Sequence, residues 1–151
     1  MLFRSRGAPA YALIAGYGLA DEAHALGSDT PSAGAGLCEA VRQTRERAAR
    51  DGSPRAPSTW VVSDQNGERH RAKEWALTVT RLHALLAPEI ELWRPAENFG
   101  DTGPATVPLL AAMVVETLRR DRAPAPEALL LASSDGPTRA GVLLRAPNRK
   151  D

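Results

Sequence analysis

The 151-residue chain contains one cysteine, two lysines, few aromatic residues, no excess of either charge and no long hydrophobic run. With Cys38 as the lone thiol, no internal disulfide can form, and zinc or iron–sulfur sites built from several cysteines are excluded; a reducing compartment suits such a chain. Nineteen basic residues stand against eighteen acidic ones, a net charge of +1. They are interspersed along the chain, so no one-signed field draws in nucleic acid or an anionic membrane. No stretch reaches the roughly eighteen apolar residues of a spanning helix. Residues 1–20 begin like a leader, with Arg4 and Arg6 before an apolar stretch, but Pro9, Tyr11, Gly16, Tyr17 and Gly18 break that stretch too early for a signal sequence. A cytoplasmic protein is expected.

What is present is an ordinary globular composition, 43% hydrophobic and 25% charged, at a length that makes one domain over residues 1–151 the expectation. Apart from Lys73 and Lys150 the basic residues are all arginine, which, in the absence of clustering along the sequence, reads as a compositional habit.

Apolar periodicity divides the chain. Residues 10–17 (AYALIAGY) predict a strand covered on both faces and ended by Gly18, and the turn formers among residues 19–35 predict a loop. Leu37, Ala40, Val41 and Thr44 recur at helical spacing until Gly52 and Pro54. A second strand is expected at 59–63 (TWVVS), a helix from Ala72 to Leu86 stopping before Pro88, and a third strand at 90–93. A loop at 99–103, a helix over 103–120, and two strands at 128–132 and 140–144 around Asp135-Gly136-Pro137 complete the chain. Pro108 would remove a bond from a helix starting at Gly103, so the start can slip to about Thr106. The order β-α-β-α-β-α-β-β implies a three-layer α/β unit with a five-stranded, mixed, mostly parallel sheet closed by a hairpin.

The helix over 103–120 carries seven consecutive apolar residues, LLAAMVV at 109–115, so its apolar surface runs around it. One sheet covers one side. About three such side chains left wet, at roughly 1.5 to 3 kcal/mol each, would forgo about 5 to 9 kcal/mol of burial, comparable with the whole stability of a domain. A second layer from another chain or another copy is therefore expected, unless the first two helices wrap over it.

Five segments, in order, carry a resemblance: RGAPAYALIAGYG, GAGLCEAVRQ, WVVSDQNGERHRAKEW, FGDTGPAT and LLLASSDGPTRAGVLL. Together they resemble the C-terminal half of a β-ketoacyl synthase of the thiolase superfamily over nearly the whole chain. The resemblance implies a thiolase-like half that packs on a similar N-terminal half through a shared middle layer of helices, with 103–120 as that middle-layer helix. It implies that the nucleophilic cysteine would lie in the N-terminal half; Cys38 does not match it and reads as packing. The family's two histidines, which stabilise the developing oxyanion, align with Asp64 of SDQNGE and Asp101 of GDTG, and Ala96 stands where a family lysine is expected. A carboxylate at neutral pH repels an oxyanion, so ordinary decarboxylative condensation by this chain alone is not expected.

The candidate site is Asp64 and Asp101 with Asn66 and Glu74, and Glu68 beside them at the strand ends where α/β sheets place their crevice. A carboxylate pair there could share a proton or bind a cation. The preferred reading is local: Asp64 and Asn66 shape a turn, Glu68 begins a helix, and Asp101 with Thr102 caps the next one, roles that alone explain these residue types. His24, His70 and His83 show no ligand spacing and read as surface residues; Trp60, Trp75 and Trp93 read as core. No nucleotide-binding glycine motif or GxSxG is present. No cofactor and no metal is expected. The expected function is that of a degenerate ketoacyl-synthase-like subunit in fatty-acid or polyketide-type acyl metabolism, pairing through 103–120 with an N-terminal-half chain or with itself, with acyl carrier protein a possible further partner. The alternative is the C-terminal half of an active acyltransferase whose cysteine a partner supplies, and a third is a truncated product without independent function.

Overall fold

The computed structural model describes residues 9–147. The first strand, β1 (Leu13–Asp21), runs past Gly18 instead of stopping there, so the expected loop begins only after Asp21. Gly16 and Gly18 do not end the strand; they let a helix lie on it. A Cβ at Gly18 would stand 2.1 Å from the carbonyl oxygen of Ala40, and one at Gly16 2.2 Å from that of Thr44. Both carbonyls belong to α1 (Ala35–Arg50), whose buried stripe of Leu37, Cys38, Ala40, Val41, Thr44 and Ala48 matches the helical spacing read in the sequence.

β2 (Ser58–Ser63) and α2 (Arg69–Arg81) follow. α2 is shorter than the expected helix because the chain turns at Leu82, and Leu86 already pairs with Ser58 as the start of β3 (Leu86–Trp93). Pro88 is tolerated within β3 because that strand is a sheet edge with one side free of partners. A four-residue helix, α3 (Ala96–Phe99), and a 3₁₀ turn (Gly103–Ala105) lead into α4 (Thr106–Arg119). Pro108 lies in the first turn of α4, where its missing N–H leaves no helix bond unmade. β4 (Glu127–Ser133) and β5 (Thr138–Arg145) form the hairpin.

The strand order is β1-β5-β4-β2-β3. β4, β2 and β3 pair in parallel, while β5 is antiparallel to both β4 and β1, so four of the five strands point one way and the sheet is mixed. α1 and α2 cover one face, over a core that includes Val61, Leu129, Leu131 and Leu143. Leu110, Val114 and Leu118 of α4 cover the other, over Trp60, Val62, Leu130 and Leu144. Alternate residues of the central strands serve alternate faces, as the pleat requires. All three tryptophans pack into these cores, Trp60 fully buried with its ring 5.0 Å from that of Trp93, edge to face. Cys38 is buried against α2, its thiol 3.8 Å from the Thr78 hydroxyl.

Two expectations are corrected. β1 is not covered on both faces: Ile14, Tyr17 and Leu19 pair with Leu144, Val142 and Ala140 on the α4 side of the sheet, and α4 does not extend over them, so all three are exposed. The first two helices do not wrap α4 either, because they lie across the sheet from it. Within this chain α4 buries only one face. Val107 is 46% exposed, Ala112 is exposed, and Leu109 and Met113 are half-buried.

Two backbone groups on the free edge of β1 are engaged by side chains of α1. Arg47 donates to the Tyr17 carbonyl at 2.6 Å and stacks over the Tyr17 ring at 4.5 Å, while Gln43 accepts from the Leu19 N–H at 3.4 Å. At those two positions the edge is less open to a further strand. No helix among the described residues is long and apolar enough to cross a membrane.

Candidate functional site

At the C-terminal ends of β2 and β4 the chain leaves the sheet, and the segments after those strands diverge around a cleft of about 530 Å³. Asp64, Asn66, Glu68, Asp101 and Asp135 line it, with Arg71 among them. The position follows from topology: side chains just beyond parallel strands face a crevice between the departing connections.

Arg71, on the first turn of α2, organises the cleft. Its guanidinium reaches Asp64 at 2.6 Å, Glu68 at 2.8 Å and Asp135 at 3.0 Å, and donates to the Ser133 carbonyl as well. Asp64 is 11% exposed, and the same carboxylate oxygen that meets Arg71 accepts the Ser133 N–H at 2.6 Å. Burial pushes the Asp64 carboxyl above its usual value, and the Ser133 N–H and Arg71 only partly offset that push. Glu68 is held below the carboxylate range by its hydrogen bond from Arg71 and a further one from Asn66. Asp101 is also lowered, by the Gly103 N–H at 2.7 Å and the Asn66 amide at 2.8 Å.

Asp64, Asn66, Glu68 and Asp101 are therefore brought together as the sequence suggested. Asn66 bridges the two halves of the cleft, donating to Asp101 while its side-chain oxygen accepts the Glu68 N–H. Of the local roles weighed earlier, Asn66 shapes the turn into α2, and Asp101 accepts the Gly103 N–H in a local turn; the cap residues of the 3₁₀ turn and of α4 are Thr102 and Ala105, neither with a side-chain capping bond. Glu68 occupies the cap position of α2 without a side-chain capping bond.

Glu74 is not brought to the cleft. It is fully buried one turn along α2, where both carboxylate oxygens meet Arg139 at 2.8 to 3.0 Å. Ser32 and Ser133 hydroxyls also bond it, and Arg139 donates to the carbonyls of Ser134, Gly136 and Thr138. That arrangement ties α2, the β4–β5 turn and the loop before α1 into one block. A carboxylate so occupied offers no lone pair to a substrate. Of the histidines, His83 is exposed while His24 and His70 are half-buried. Among the described residues, no group of three or more His, Cys, Asp or Glu side chains is placed to hold a metal ion.

Sequence reasoning missed Arg71, Ser133 and Asp135. The spacing of Glu68 and Arg71 on one helix was a usable signal for part of the network; the approach of the β4–β5 turn was not.

The chemistry open to this cleft is limited by where its donors point. Arg71, the Asn66 amide, and the N–H groups of Gly103 and Ser133 all donate to the cleft's own carboxylates or to the Ser133 carbonyl. Four carboxylates against one guanidinium make a poor cradle for an enolate or oxyanion, which needs donors aimed at the developing charge. Asp64 differs, since its raised pKa favours the protonated form more than in a solvated carboxylate.

No protein-family description matches the sequence, and no curated protein matches it. The fold does match solved structures. The chain has the fold of one half of a ketosynthase. Over 96% of its length it superposes on the ishigamide ketosynthase/chain length factor with a TM-score of 0.78 at 14% identity, spanning 40% of that chain. It superposes on the ketosynthase of the AntDE:AntF complex, a type II polyketide synthase ketosynthase with its acyl-carrier protein, with a TM-score of 0.77 at 14% identity, covering 96% of this chain and 41% of that one. For the Streptomyces albus JA3453 oxazolomycin ketosynthase domain OzmH KS8 the TM-score is 0.72 at 17% identity, covering 99% of this chain and 49% of that one. The chain thus spans less than half the length of these ketosynthases, and at these identities the likeness is one of fold.

Proposed function

We propose that this chain serves as a condensing-enzyme half that is non-catalytic alone, pairing through α4 and the open face of β1 with an N-terminal ketosynthase-like half, in fatty-acid or polyketide-type acyl metabolism. The observation that carries the proposal is the uncovered apolar face: Ile14, Tyr17 and Leu19 on β1 and Val107 on α4 are 46% to 66% exposed on the same side of the sheet. Apolar side chains left exposed on one side of a sheet support an interaction site there. The length relation supports the same reading, since the solved ketosynthases that share this fold are more than twice as long. A second copy of this chain is the other occupant considered, and an acyl carrier protein would dock on the assembled pair.

The make-up of the cleft supports the non-catalytic part of this reading. With Asp64 and Asp101 at the positions where the resemblance expects histidines, and with the local donors engaged internally, this half brings no oxyanion stabiliser. Co-expression with an N-terminal ketosynthase half that bears the nucleophilic cysteine tests the pairing. A stable one-to-one complex with Tyr17 and Val107 protected from solvent is expected; a well-folded monomer that ignores that half would sink the proposal.

A second reading is favoured by one observation, the raised pKa of Asp64: the chain completes an acyl-transfer site, Asp64 acting as proton donor to chemistry at a partner's cysteine. Loading the complex with an acyl thioester separates the two. Covalent acylation of the partner cysteine that is lost in both Asp64→Ala and Asp101→Ala supports the enzyme, and unchanged acylation removes the aspartates from the chemistry.

A further inference from the structure

At the opposite end of the sheet from the cleft, the last two turns of α1 and the segment after it border a groove of about 620 Å³. Arginines that are scattered in the sequence converge there: Arg42, Arg45 and Arg50 from α1 and Arg55 from the connection to β2, with Glu46 as the acidic residue in the lining. Ala49 and the half-buried Leu85 give the groove an apolar floor.

The four guanidiniums differ. Arg45 is buried and fixed, paired with Glu127 at 2.5 Å and donating to the carbonyls of Pro54 and Ala56, so its charge is balanced and it serves as the wall. Arg42 has Glu39 only at 3.9 Å, with both side chains about half exposed. Arg50 and Arg55 are exposed, and their side chains have no ion pair or hydrogen bond among the described residues. Elsewhere five arginines, Arg71, Arg94, Arg119, Arg120 and Arg139, stand within 3.0 Å of a carboxylate, while Arg47 and Arg81 donate to backbone carbonyls. Asp51, next to this groove, faces Arg145 at 3.9 Å. The helix dipole accounts for a basic residue at Arg50 in the last turn of α1. It accounts for neither Arg42, two turns back, nor Arg55, beyond the helix. Arg42, Arg50 and Arg55, with Glu46 in the lining and Glu39 3.9 Å from Arg42, leave an excess of positive charge that an anion relieves, and the planar donor fork of arginine fits phosphate oxygens two at a time.

We propose that this groove binds a phosphorylated small molecule, its phosphate held by Arg42, Arg50 and Arg55 and an apolar portion resting on Ala49 and Leu85. The site lies beside the N-terminal ends of β2 and β4, away from both the carboxylate cleft and the open face of β1, so it is independent of the pairing and of any acyl chemistry. Glu46, within the lining, opposes a dianion and sets a limit on its affinity.

Titration of the full chain with phenyl phosphate, followed by calorimetry and by amide shifts, tests the proposal. Saturable one-to-one binding is expected, with shifts at Ala49, Arg50 and Arg55. The double variant Arg50→Ala/Arg55→Ala should weaken binding at least tenfold, Glu46→Gln should strengthen it a few-fold, and Arg94→Ala, remote and paired with Glu97, should leave it unchanged. Absence of saturation, equal binding by the double variant, an Arg94→Ala loss as large as that of the double variant, or equal binding of phenol would each overturn it. Binding of polyglutamate without binding of phenyl phosphate would also overturn it, assigning the patch to an acidic protein surface instead.

Discussion

On one face of the sheet, α1 lies so near β1 and β5 that glycine is required at 16, 18 and 141, and behind it a fully buried Glu74–Arg139 pair joins α2 to the β4–β5 hairpin. On the other, α4 fills the centre with Leu110, Val114 and Leu118 and leaves β1 bare. The first face is finished within the chain; the second leaves apolar side chains of β1 and α4 exposed. Substitutions on the closed face should therefore act through stability, and those on the open face through assembly.

The largest effect is expected at the buried pair. Glu74→Ala leaves the Arg139 guanidinium inside the protein without its counter-charge, a loss of about 3 to 5 kcal/mol of unfolding free energy; a urea midpoint close to the parent's would mean that the pair is wet. Next comes Leu110→Ala, on the inner side of α4, at about 2 to 5 kcal/mol by thermal or urea unfolding. Gly18→Ala should cost about 1 to 3 kcal/mol, since the new methyl group would lie 2.1 Å from the Ala40 carbonyl oxygen and α1 must move away. Unfolding together with the amide shifts along α1 reads both consequences.

A smaller effect is expected for Asp64→Asn, and it depends on pH. The folded Asp64 carboxyl has a raised pKa, so its contribution to stability is fully present below the unfolded value and is lost as pH rises through the folded value. The asparagine variant should thus gain on the parent as pH is raised from about 4, a trend that paired urea curves at several pH values would reveal. A gain on lowering the pH instead would show that Arg71 dominates over burial. Smallest is Val107→Asp on the outer side of α4, within about 0.5 kcal/mol of the parent as an isolated chain, yet sufficient to prevent pairing with an N-terminal half in a gel-filtration assay. A large loss of stability there would erase the contrast between the faces.

Much of this fold was legible because apolar spacing encodes burial. The stripe of α1, the strand TWVVS and the closing hairpin stand where the pattern put them. Boundaries failed where a residue's role was tertiary. Gly18 read as a stop, although it makes room for Ala40 in a helix twenty-two residues later. Leu82 and Leu86 kept the helical rhythm, but strand pairing with Ser58 claimed Leu86. In the cleft, Asp64 and Asp101 were legible through their alignment with the resemblance, whereas Glu74, grouped with them in the sequence, turns inward to Arg139.

By itself, then, the sequence determined the α/β order and the surplus of apolar surface on 109–115, because periodicity and turn chemistry act within one stretch of chain. Only the tertiary structure decided which face stays open, which carboxylates meet Arg71, and that scattered arginines gather at the end of α1. Those outcomes depend on strand order and on distances between residues far apart in the chain, quantities that local patterning does not carry.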